Sequence, residues 1–157
     1  METLSDDGAT AAFPTIRHIL VPLDGSELAE GVLAPAAQLA RTIGARLTLV
    51  RVVPLVTDQG PGVFPNVQHE LTRARTYLDD VAADLRNEGL DVAIRAVFGH
   101  TPPLTIAETA DASEADVIAL SSHGYGGLER TSLGSVADRL LRATSRPVLI
   151  VRPAVLA

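Results

Sequence analysis

The chain of 157 residues has no cysteine. That absence excludes a disulfide framework, a zinc ribbon, an iron–sulfur cluster and a thiol nucleophile together. Lysine is missing too, since all 13 basic residues are arginine. A P-loop lysine, a Schiff-base lysine and a lysine general base are therefore out of reach. With no tryptophan, two tyrosines and three phenylalanines, aromatics are too few for a stacking platform on single-stranded nucleic acid. Positive charge is also in deficit: 13 basic against 19 acidic residues give −6, which disfavours nucleic acid and anionic membrane surfaces as partners. No run approaches the roughly 18 apolar residues of a membrane-spanning helix. The opening METLSDDGATAAFPT is acidic and polar, without the basic leader and apolar stretch of a secretory signal. Residues 1–15 read as a flexible tail, and the expected location is the cytoplasm.

What is present is globular in character, 46% hydrophobic and 20% charged. A chain of this length suits one domain, expected over 16–157, and buries enough surface to need no staple. Short β-branched runs alternate with helical patterns. The first strand is expected at Arg17 to Leu23, a near-continuous apolar run of the kind covered on both faces. Ser26 suits the cap of one helix with its stripe at Ala29, Val32, Leu33, Ala36, Ala37, Ala40 and Ile43, ending at Gly44. Strand two follows at Arg46 to Val53. Three prolines and two glycines between Pro54 and Asn66 read as a loop. A helix from about Val67 to Glu88 then carries Leu71, Ala74, Leu78, Val81, Ala82 and Leu85 on one face, with Gly89 at its end. Strand three is Asp91 to Phe98. Pro102 or Pro103 suits the first turn of a helix reaching about Ser113. Strand four is Asp116 to Leu120, a helix spans Ser135 to Thr144, and strand five is Pro147 to Arg152. Five strands alternating with four helices predict a doubly wound α/β domain with a five-stranded parallel sheet.

Ligands of such sheets sit beyond the carboxyl ends of the strands, where strand order reverses. Two strand exits are unusual. Pro22-Leu23-Asp24-Gly25-Ser26 leaves strand one with a carboxylate at its tip. Ser121-Ser122-His123-Gly124-Tyr125-Gly126-Gly127 leaves strand four, and Gly134-Ser135-Val136 opens the next helix, whose N-terminus suits phosphate. Taken singly, the glycines are turn chemistry, Asp24 a helix-entry cap and Ser135 an N-cap; their convergence favours a ligand. Neither G-x-x-x-x-G-K-[ST] nor a G-x-G-x-x-G after the first strand is present, so P-loop and ordinary Rossmann chemistry do not fit.

Pro22-x-Asp24-Gly25-Ser26 resembles the opening of universal stress protein domains. ADVIALSSHGYGGLERTSLGSVADRLLRATSRPVLIVRP resembles that family's C-terminal part almost continuously, and the likeness runs from about residue 16 to 153. Nucleotide-binding members carry G-x-x-G, nine residues, then G-[ST]. Gly124 is the second glycine of that motif, 125–133 are the nine residues and Gly134-Ser135 completes it; Ser121 stands at the first glycine. The resemblance implies a Rossmann-like, adenine nucleotide alpha-hydrolase-like sheet of order 3-2-1-4-5. It implies that Asp24 accepts from the ribose hydroxyls, that Pro22 and Val52 border the adenine, and that Leu120 and Ser121 lie against the nucleoside. Gly124, Gly134, Ser135 and Val136 would serve the phosphates. His123 holds a variable position, where a solvent-facing loop histidine and a phosphate contact fit equally; neither makes it catalytic.

The expected function is a nucleotide-binding regulatory protein of the stress response, holding ATP with Mg²⁺ or Mn²⁺ on its phosphates. The rival is an interaction protein of the same fold without nucleotide, a reading that Ser121 feeds and that Asp24 and the Gly124…Gly134-Ser135 spacing oppose. An enzyme beyond weak ATP hydrolysis is not expected, Glu129 being the one carboxylate near the phosphate loop. Strand five, Pro147-Val148-Leu149-Ile150-Val151, is an apolar edge that invites pairing with a second copy, so a homodimer through strand five is expected. The opposing reading is that helices simply cover both of its faces.

Overall fold

The computed structural model describes residues 15–54, 66–123 and 133–152. Ten elements run in the order β1 (His18–Pro22), α1 (Glu27–Glu30), α2 (Leu33–Ile43), β2 (Arg46–Pro54), α3 (Val67–Asn87), β3 (Val92–Gly99), α4 (Pro102–Ala112), β4 (Val117–Ser121), α5 (Ser135–Ala143) and β5 (Val148–Val151). The sheet is five-stranded, with order β3-β2-β1-β4-β5 and parallel pairing throughout. This is the doubly wound topology expected. The expected tail at 1–15 falls, except for Thr15, outside the described residues, as does most of the segment between Pro54 and Asn66.

Alternation along each strand divides the core in two. Ile19 and Val21 of β1, Leu47 and Leu49 of β2, and Val117 and Ala119 of β4 pack with α2 and α3 through Ala36, Ala40, Leu78 and Ala82. Their neighbours Leu20, Val50, Ile118 and Leu120 pack with α4 and α5 through Ile106, Ala110, Ala137 and Leu140. Both faces of the central strands are thus dry, which explains their unbroken apolar runs. The edge differs: all four residues of β5 are only half-buried. No described helix is long and apolar enough to cross a membrane.

One expectation is corrected. The helix foreseen from Ser26 to Gly44 is two, α1 and α2. Ser26 caps α1, its hydroxyl accepting from Ala29 N at 3.1 Å, but the chain turns at Gly31 and Val32 before α2 begins. Pro35 supplies the reason: it has no N–H to give the Gly31 carbonyl, and its ring crowds that carbonyl, so it is tolerated only in the first turn of a new helix. Gly44 ends α2 in the left-handed conformation, as foreseen. Ile43, placed on the buried stripe, is instead exposed. A second correction concerns Ser135. The N-cap of α5 is Gly134, which makes no side-chain cap bond, and Ser135 is the first helical residue.

Candidate functional site

The strand order places the exits of β1 and β4 side by side. Between them opens a cleft of about 830 Å³ at the carboxyl end of the sheet, within the usual span of small-molecule sites. Pro22 and Asp24 line it from β1, Val52 from β2, Leu120 and Ser121 from β4, and Gly134, Ser135 and Val136 from the start of α5. Residues more than a hundred positions apart in the chain are therefore brought to one surface. Gly124 lies outside the described residues.

At the β1 exit the carboxylate is oriented by the turn that follows it. Asp24 Oδ1 accepts from Ser26 N at 2.9 Å and from the Ser26 hydroxyl at 2.6 Å. That hydroxyl is the one that caps α1, so Asp24 stands behind the cap rather than forming it. Gly25 permits this tight turn with φ +88°, in the left-handed region that side chains disfavour. A Cβ on Gly25 would also come within 2.9 Å of the Arg51 guanidinium.

Arg51 introduces a wall that sequence reasoning did not foresee. Its guanidinium lies over the ring of Tyr77, 4.9 Å from the centroid, and the Tyr77 hydroxyl donates to Glu30 Oε1 at 2.5 Å. Burial, then the hydrogen bond to Glu30, push the Tyr77 pKa well up, so the phenol keeps its proton and remains a donor. Arg51, Tyr77, Glu70 and Arg73 all line the cleft, giving its α3 side a polar, mixed-charge surface. A signal existed in the sequence: Arg51 interrupts the apolar run of strand two. Tyr77, on a helix that begins beyond the loop, announces nothing by itself.

The α5 end of the cleft departs from expectation. Gly134 N donates to the Ser122 carbonyl at 2.7 Å, so Gly134 supplies close approach rather than a donor. A Cβ there would meet Ser122 O at 2.5 Å, against main chain that cannot yield. With Asp138 N bonded to Gly134 O, the N–H groups of Ser135, Val136 and Ala137 precede the first intrahelical donor. They are the open donors of the positive end of α5. Ser122 Oγ lies 2.9 Å from His123 Nδ1. His123 lines the cleft half-buried rather than facing solvent. Among the described residues, Ser121 Oγ and His123 Nε2 are the buried side-chain polar atoms without a hydrogen-bond partner. No group of three or more metal-ligating side chains occurs among them.

Comparison with known proteins places this geometry. The model of the universal stress protein family matches residues 15–152. A Staphylococcus aureus protein that bears the universal stress protein name is 30% identical over 141 residues, covering 88% of this chain and 85% of its own length. A crystal structure from the same family in Burkholderia pseudomallei is 33% identical, with TM-score 0.70, over 90% of this chain and 98% of that one. Two further structures share the fold. A universal stress protein in complex with cAMP has TM-score 0.66 and 23% identity, over 89% of this chain and 99% of that one. The universal stress protein of Archaeoglobus fulgidus in complex with dAMP has TM-score 0.62 and 23% identity, over 86% of this chain and 96% of its own.

Proposed function

This chain belongs to the universal stress protein family, and we propose that it is an ATP-binding regulatory protein of the stress response. The observation that carries the reading is the single cleft shared by Asp24 and the α5 N-terminus. It offers an oriented carboxylate at one end and open backbone donors at the other, the two chemistries that ribose hydroxyls and phosphates require. Val52 and Leu120 supply the apolar lining between them, suited to a purine face. Proteins of this fold that hold cAMP and dAMP agree with a nucleotide of the adenine class.

Asp24, with Oδ1 held by Ser26, accepts from the ribose hydroxyls. Pro22 and Val52 border the base, and Leu120 packs on the nucleoside. Ser135 and Val136 meet the phosphates with their N–H groups, while Gly134 lets the ligand come close. Gly124 belongs to the same phosphate end. Mg²⁺ or Mn²⁺ neutralises phosphate charge when the nucleotide is bound. The chain acts in the cytoplasm as a switch whose surfaces report nucleotide occupancy, and it does so without an enzymatic step beyond slow hydrolysis.

The assembly we propose is a homodimer paired through β5. That strand is an outer edge of the sheet and its apolar residues, packed against both cores, are only half covered, which leaves surface for a second copy to cover. A twofold axis sets two such edges antiparallel.

Protein purified from cells and then denatured should release material absorbing near 260 nm, and calorimetry should show ATP and AMP binding, with Mg²⁺ raising the affinity for ATP. A folded chain that binds neither nucleotide would overturn the reading. Light scattering should give twice the 16.5 kDa chain mass; a single-chain mass at micromolar concentration removes the dimer and leaves the nucleotide reading standing.

A further inference from the structure

Buried polar groups are nearly always paired, because leaving one unbonded forfeits its hydration with nothing in exchange. Ser121 Oγ and His123 Nε2 break that rule. They stand two residues apart at the exit of β4, and both residues line the same cleft. Ser121 is only 7% exposed, so its hydroxyl has no recourse to bulk water. Two unmet groups at one place point to a partner that arrives from outside the chain.

The surroundings indicate what kind of partner. Ser122 Oγ and His123 Nδ1 are 2.9 Å apart; in the tautomer in which the hydroxyl donates to Nδ1, and equally in the protonated ring, Nε2 carries a proton and is a donor. The Ser121 hydroxyl also has a proton to give. Ser135 and Val136, whose N–H groups stand at the start of α5 before its first intrahelical donor, line the same cleft, and the Gly134 N–H is already occupied by Ser122 O. Where every converging group donates, the matching ligand group is an acceptor. Beside the positive end of a helix, a negatively charged acceptor is favoured.

We infer that Ser121 Oγ and His123 Nε2 are the side-chain ligands of the 5′-phosphate of a bound nucleoside phosphate. The inference rests on the nucleotide reading above and extends it. Discrimination between nucleotide and nucleoside becomes the work of two side chains, and Ser121 supplies a hydroxyl where the family motif has glycine.

Calorimetric titration of the full chain with AMP, adenosine and inorganic phosphate tests it. AMP should bind at least about tenfold more tightly than adenosine, and Ser121→Ala and His123→Phe should each weaken AMP by about tenfold to a hundredfold, the range of a hydrogen bond to a charged group. Adenosine affinity should stay unchanged in His123→Phe and should fall far less than AMP affinity in Ser121→Ala. In the wild-type chain the His123 Nε2 nitrogen resonance should move on adding AMP and stay still on adding adenosine, a readout that does not depend on either variant folding. A similar shift with inorganic phosphate alone identifies the phosphate group as what is read; no shift with any phosphate-bearing ligand overturns the inference. Equal affinity for AMP and adenosine overturns this inference alone. Failure of both to bind overturns the nucleotide reading along with it.

Discussion

The two ends of one sheet treat their polar groups in opposite ways. At the amino end, a cavity of about 450 Å³ is rimmed by Arg17, His18, Arg46, Asp91, Glu114 and Asp116, and none of the buried side-chain polar atoms of these residues lacks a partner. Asp116 Oδ2 accepts from Arg17 N at 2.9 Å and His18 N at 3.0 Å, tying β1 to the start of β4. His18, buried, pairs Nε2 with Thr48 Oγ1 at 2.7 Å. Arg146 donates to Asp111 and to the Ala115 carbonyl. At the carboxyl end of the same β1 and β4, Ser121 Oγ and His123 Nε2 have no partner among the described residues. Charged residues alone therefore do not mark a site: a rim whose buried polar groups are partnered holds the fold, and one that leaves buried groups unmet is the better candidate for a ligand site.

This contrast is tested most severely at Gly134. Gly134→Val places a side chain against the Ser122 carbonyl and should abolish ATP binding; its overpacking should also lower stability by about 1–3 kcal/mol. Calorimetry beside a denaturant titration checks both, and retained affinity would show that the close approach of α5 to β4 is not required. Asp24→Ala comes next. Loss of a charge-assisted contact of roughly 1.5–3 kcal/mol should weaken ATP about tenfold to a hundredfold, with the circular dichroism spectrum preserved. Unchanged affinity in a folded variant would remove Asp24 from the ribose.

The amino end is probed by pH. Burial, and after it the Arg46 guanidinium, hold the His18 pKa below its ordinary value of 6.5. The unfolded chain thus takes up the proton first, so the stability from neutral His18 is complete above pH 6.5 and declines as pH falls below it. Denaturation midpoints between pH 7.5 and 5.5 should fall more in the wild type than in His18→Gln. Identical slopes would put the dependence elsewhere. The smallest effect belongs to Ser135→Ala. Because Gly134 is the cap and Ser135 the first helical residue, stability should change by less than about 0.5 kcal/mol, and ATP affinity by only a few-fold. A larger loss for ATP than for adenosine would reveal a hydroxyl contact with phosphate.

Much of this architecture was legible because it is written in local chemistry. Apolar runs without alternation announce strands covered on both faces, and Ser26, Gly44 and Gly89 mark helix ends. The break between α1 and α2 was also present, in Pro35, but the regular stripe across it hid the consequence of a missing N–H. Cap assignment at α5 failed because serine is the usual N-cap, whereas the approach of Gly134 to Ser122 is a tertiary fact. Eight of the nine residues foreseen for the site line one cleft, and Gly124 falls outside the described residues. The side formed by Arg51 and Tyr77 was illegible, since it depends on how α3 lies over β2. So was the difference between the two polar rims, because sequence shows which donors exist but not which are already engaged.

The pairing of β1 with β4 joins Ile19 to Val117, about a hundred residues later in the chain. Closing so long a loop carries an entropic cost that local contacts cannot offset early, and sheets rich in such pairings fold slowly. During synthesis, β1 emerges with Asp24 long before the ribosome has made Ser121 or α5. The half-made protein has the carboxylate but no surface to set against it, so nucleotide cannot template the early steps. On the proposed nucleotide-binding function, ligand would act instead as a ratchet on the last one, selecting chains in which the final forty residues have docked.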